Sequence, residues 1–131
     1  MIGLDTNVLV RYLVKDDPSQ TPHAVKMVHS LTPHAPGWIG LTVVVELAWV
    51  LMRTYRYKTD GLVKILETLL ASEDVVIEQA QTVRRALLMY RHGKADYPDC
   101  LISVSAKVHG CHRVVTFDRI AARDAGMELI A

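Results

Sequence analysis

A chain of 131 residues, half of them hydrophobic and 22% charged, has the apolar content for one packed domain and is too hydrophobic for a disordered one. Its 15 Lys and Arg against 14 Asp and Glu leave a net charge of +1, which excludes a grip on nucleic acid through bulk positive charge alone. Glu46, Arg53 and Lys64 interrupt the longest apolar stretches well short of the roughly 20 residues of a membrane span. "MIGLDTN" lacks the basic-then-apolar pattern of a secretory leader, and two cysteines, Cys100 and Cys111, imply no oxidising compartment. A cytoplasmic protein with one domain over residues 1–131 and no membrane contact is expected.

In chain order, "MIGL" reads as a short strand ending at Asp5, and "TNVLVRYLV" as a helix capped by Thr6 or Asn7. "DDPSQ" breaks that helix, and Thr21 with Pro22 predicts a capped start for "PHAVKMVHSL". After the loop "TPHAPG", "WIG" is a brief strand and Thr42 the expected cap of a helix through "VVVELAWVLMRTY". The β-branched run Val43 to Val45 favours strand locally, but Leu47, Val50 and Leu51 carry a helical stripe too far for one. "TDGLVKILETLLAS" is amphipathic, with Leu62, Ile65, Leu66, Leu69 and Leu70 on one face. "VVI" is a strand, Gln79 to His92 a helix ending at Gly93, and "DYPDCLISVSAKVH" a helix stopped by Gly110. "RVVTF" is a strand ending at Asp118, "RIAARDA" a short helix closed by Gly126, and "MELI" a last strand. Strands alternating with helices predict an α/β fold, a three-layer α/β/α arrangement around one central, mostly parallel sheet.

Open parallel sheets bind ligands outside the carboxyl ends of their strands. Asp5 and Asp118 each follow a strand at once, and Asp96 and Asp99 open a helix that should start on the same edge. Glu46 is a carboxylate inside the apolar run "TVVVELAWVL", where burial without a partner is costly. Together these five predict one acidic cluster. Crowded carboxylates raise one another's pKa, so an ionised cluster implies a cation, and oxygen-only ligands suit Mg²⁺ or Mn²⁺ better than zinc. Such a site is suited to phosphodiester hydrolysis and lets a near-neutral chain handle RNA. Taken alone, Asp96 and Asp99 read more simply as a capping box, and Asp5, Asp118 and Glu46 each have an equally ordinary reading as a cap or an exposed helix residue.

In "IGLDTNVLVRYL", "TVVVELAWVL", "ADYPDCLISVSAKVHGC" and "VVTFDRIAARDAGMELI" the chain resembles the PIN-domain nucleases, in particular the VapC-like toxins of toxin–antitoxin pairs. The resemblance implies a metal-dependent endoribonuclease using Mg²⁺ or Mn²⁺, commonly a homodimer or part of a larger toxin–antitoxin assembly, and restrained by an antitoxin protein. It implies Asp5, Glu46, Asp99 and Asp118 as the catalytic, metal-holding acids, with Asp96 as an additional one. It gives Thr6, Asn7 and Thr116 the role of orienting those acids. Tyr97 and Pro98 depart from the Phe and Ala common between the two aspartates, and a first-turn proline is compatible with the helix.

Other readings carry less. Six histidines and "HGCH" invite zinc but match no closed zinc pattern, and Cys100 is expected in the core. Trp38 and Trp49 are expected in the core or a dimer interface, and Arg11 is a minor candidate for a phosphate contact. A non-catalytic PIN-like module binding RNA or protein is the leading alternative. A phosphate-receiver domain would need an acidic pair after the first strand and a lysine after the last, and "LDTN" and "MELIA" supply neither.

Overall fold

The structure, a computed structural model, describes residues 1–131. Strand β1 (Ile2–Gly3) leads into helix α1 (Thr6–Val14), followed by α2 (Thr21–His29), β2 (Gly37–Ile39), α3 (Leu41–Arg53) and α4 (Thr59–Ala71). Then come β3 (Val75–Ile77), α5 (Ala80–Arg91), α6 (Tyr97–Val108), β4 (Val115–Thr116), α7 (Arg119–Asp124) and β5 (Glu128–Leu129). Every strand pairs in parallel, as expected for α/β, but the strands divide into two sheets instead of one. β1, β2 and β3 form the larger sheet with β2 central, while β4 pairs with β5, Val115 opposite Glu128. No helix is long and apolar enough to cross a membrane.

Ile39 of the central strand is fully buried and shares one core cluster with Val44, Leu47, Ala48 and Leu51 of α3 and Leu62 and Leu66 of α4. Each fully buried Leu, Ile or Val adds about 1.5–3 kcal/mol over exposure, so this helical stripe overrides the local strand preference of Val43 to Val45. The most extensive helix contact is between α5 and α6. There Tyr97 is fully buried, its phenol donates to the Val83 carbonyl at 3.1 Å, and its ring meets Tyr90 edge-on at 5.8 Å. Replacing the usual Phe with Tyr therefore leaves no orphaned hydroxyl.

Several helix starts differ from expectation because their caps come from elsewhere. Asp5, not Thr6 or Asn7, is the N-cap of α1, and Thr21 lies inside α2 after Gln20. Helix α3 begins after Gly40, with Thr42 already in its first turn; the Leu41 amide donates to Glu78 Oε1 at 2.8 Å. Glu78 follows β3, so a cap delivered across the sheet replaces the local one. Gly110 stops α6 with φ +97, a backbone that L side chains rarely adopt. Gly93 ends α5 for a different reason: a Cβ there would lie 2.9 Å from Asp124 Cβ. Cys100 is buried as expected. Trp38 and Trp49 are not core residues but lie exposed, and the Arg53 guanidinium covers Trp49 at 3.4 Å from the ring centre.

Candidate active site

At the carboxyl end of β1 the chain leaves the sheet in extended backbone at Asp5, whose carboxylate accepts from the Thr6 amide at 2.7 Å. That caps one of the orphan donors of α1 and leaves Asp5 exposed. Thr6 is buried, and its hydroxyl donates to Glu46 Oε1 at 3.0 Å, linking α1 to α3. Glu46 is thus neither a buried orphan nor a free surface acid. Asp5, Thr6, Asn7, Arg11, Glu46 and Tyr55 line an open cleft of about 460 Å³.

The other three acids meet at helix starts. Asp96 caps α6 by accepting from the Asp99 amide at 2.9 Å, and Asp118 caps α7 by accepting from the Ala121 amide at 2.9 Å. Thr116 fixes the approach to Asp118, its hydroxyl accepting from the Asp118 amide at 3.0 Å. Asp99 is half-buried, and burial pushes its pKa up from the ordinary aspartate value; the nearby charges of Asp96 and Asp118 and a hydrogen bond with Asp96 push the same way. A carboxyl loaded in this manner favours either a proton or a cation beside it.

Of the single cluster expected from the sequence, the contacts join Asp5, Thr6 and Glu46 on one side and Asp96, Asp99 and Asp118 on the other. Glu46 adjoins the second set as well, since it lines a hollow with Pro98 and Leu101 of α6.

The family model for the PIN domain matches residues 2–126. The chain belongs to the PIN-domain family. A curated relative of this PIN domain, the VapC ribonuclease of Aquifex aeolicus (strain VF5), is 32% identical over 77 residues, 59% of this chain and 57% of the relative. The PIN domain thus spans little more than half the length of the relative it matches.

No three Asp, Glu, His or Cys side chains of the PIN domain are grouped as direct ligands of one ion. Mg²⁺ and Mn²⁺ keep several waters and take only one or two carboxylates, with substrate phosphate oxygens completing the shell. The donor set, all carboxylate, is of the right chemistry.

Three functional candidates lacked a strong sequence signal. Arg11 was only a minor candidate, although Asn7 and Arg11 are four apart and share a face of α1. Tyr55, just beyond α3, meets Arg11 only through the fold. Asp124, at the end of α7, accepts from the Lys94 amide at 2.8 Å while Arg123 Nε binds its other oxygen at 2.8 Å. It ties the loop leading to Asp96 against the helix that Asp118 caps, and so holds the two acids in register.

The Arg123 hydrogen bond, followed by the Lys94 amide, pulls the Asp124 carboxyl from 3.8 down to about 2. A depressed carboxyl stabilises the fold above its unfolded pKa, and that contribution disappears as pH falls through the folded one. The loss of stability between pH 3.8 and about 2 should accordingly flatten in Asp124→Ala, as measured by urea melts at stepped pH.

Proposed function

We propose that this PIN domain is a metal-dependent endoribonuclease and the toxin of a toxin–antitoxin pair. The observation that carries the reading is Asp99, a half-buried carboxyl whose proton affinity is raised first by burial and then by Asp96 and Asp118, on the helix whose Pro98 and Leu101 share a hollow with Glu46. Likeness to a protein named a VapC ribonuclease supports RNA as the substrate and an antitoxin as the partner.

In this reading Asp5, Glu46, Asp99 and Asp118 are the catalytic acids and would hold Mg²⁺ or Mn²⁺, with Asp96 assisting. Such an ion, when bound, supplies positive charge to the phosphate and acidifies a water. The protein's own part is orientation. Thr6 fixes the rotamer of Glu46, and the backbone amides of Thr6, Asp99 and Ala121 lock one oxygen each of Asp5, Asp96 and Asp118. Acids restrained in advance need not be ordered when substrate arrives, which is where much of an enzyme's rate advantage lies. Asn7 and Thr116 complete the positioning set. An antitoxin would cover the acidic cleft with a basic side chain, and two copies of the chain would pair as a homodimer, alone or within a larger toxin–antitoxin assembly.

The rival reading, a non-catalytic module that binds RNA or protein, draws on the capping bonds that occupy Asp5, Asp96 and Asp118. Cleavage of a mixed RNA pool by the purified protein separates the two. Cutting that requires Mg²⁺ or Mn²⁺ and stops in EDTA is expected; uncut RNA in all three conditions would favour the binding module.

A further inference from the structure

Arg11 is the one cation on the wall of the cleft that contains Asp5 and Glu46. It is held from several sides: Nε donates to Gln20 Oε1 at 2.8 Å, and Nη1 donates to the Tyr55 phenol at 3.3 Å. The carboxylates of Asp16 and Asp17 stand 3.8 Å away, close enough to attract the guanidinium yet too far to occupy its hydrogens. Asp17 is engaged elsewhere, accepting from the Ser19 and Gln20 amides.

Three donors at the cleft remain unused within the protein: Arg11 Nη2, the Tyr55 hydroxyl proton and the Asn7 amide. The acidic pair Asp5 and Glu46 lines the same cleft. A wall of carboxylates repels a phosphate strand, and a chain of net charge +1 offers no general attraction to offset that. A guanidinium with one fork arm free and the rest of it immobilised is preorganised for a phosphate oxygen.

We propose that Arg11, with Tyr55 and Asn7, forms a phosphate subsite that grips the RNA backbone beside the acidic centre. The subsite rests on the ribonuclease reading and names the part of the site that holds the strand. The competing role is purely structural, with Arg11 clasping α1 to the start of α2 through Gln20.

Fluorescence anisotropy with a labelled mixed-sequence 12-nucleotide RNA, measured across a salt series in an Asp99→Asn background, tests it. Arg11→Met should weaken binding about tenfold and lower the slope of log Kd against log salt by about 0.7, the loss of one phosphate contact to a single strand. Arg11→Lys should keep the slope and recover part of the affinity. A Met variant that folds and binds with the parental slope would overturn the subsite, as would a parent that binds no RNA. Should the Met variant fail to fold, Lys decides: affinity equal to the parent overturns the fork geometry, and a loss of about threefold at unchanged slope supports it. Cleavage by the protein with Asp99 intact is run alongside. Cutting without dependence of binding on Arg11 removes only the subsite, while Arg11-dependent binding without cutting removes only the nuclease reading.

Discussion

Asp99→Asn is expected to lower RNA cleavage by at least about 100-fold while leaving the fold intact and, in EDTA, more stable at neutral pH. The activity loss is on the scale of removing one preorganised charge-stabilising group. The stability gain follows from the raised pKa of Asp99. A carboxyl with a folded pKa above its unfolded one is destabilising when ionised, and that penalty is full above the folded pKa and gone below the unfolded value. The advantage of the Asn variant should therefore be present at pH 7 and close as pH falls through the carboxylate range. An isosteric amide also retains the Asp99 backbone hydrogen bond to Asp96, so the α6 cap survives. Cleavage assays paired with thermal melts from pH 7 to pH 3 check both halves. A capping role alone predicts no change in cleavage, and an acid needed for folding predicts a loss of stability; the combination of lost activity and gained stability belongs to a functional acid.

Much of this arrangement was legible because it rests on local rules. The alternation of short apolar runs with helical stripes gave the order of elements, and Asp5 and Asp118 stand at strand ends because β1 and β4 end just before them. The capping-box reading of Asp96 and Asp99 does not compete with the functional one: the cap uses a carboxylate oxygen of Asp96 and the backbone amide of Asp99, not the Asp99 carboxylate. What escaped the sequence depends on contacts between distant segments. Glu78 replaces Thr42 at the start of α3 because β3 brings it there, 37 positions from the amide it accepts. The separate β4–β5 sheet is set by which strand finds which edge, and two-residue strands carry too little pattern to say. Gly93 reads as a helix stop, yet its absent side chain makes room for Asp124, whose grip on the Lys94 amide spans 30 residues. Trp38 and Trp49 lie outside the core that hydrophobicity suggested, at positions still open to the dimer-interface alternative. A large ring can remain on the surface beneath a guanidinium, as Trp49 does with Arg53.

Asp118 allows charge and cap to be separated within one residue. Its carboxylate accepts from the Ala121 amide at the start of a six-residue helix, and its charge is among those that raise the pKa of Asp99. Asn and Asp are near-equal N-caps, whereas Ala loses the side-chain acceptor at about 1 kcal/mol. Asp118→Asn should then melt like the parent, and Asp118→Ala should melt lower, with both losing cleavage by about 100-fold if the charge serves the reaction. Removing the Asp118 charge also relieves Asp99 of one neighbour that opposes its ionisation, so the residual activity of either variant should extend to lower pH than that of the parent. A pH–rate profile carried from neutral pH down through the carboxylate range measures this. Retained activity in the Asn variant alongside a loss in the Ala variant would assign Asp118 to helix capping and leave the reaction to the remaining acids. Equal loss in both, with unequal melting, would mean that one side chain performs two independent tasks: one oxygen bound to the backbone of α7, and a negative charge directed at the site it shares with Asp99.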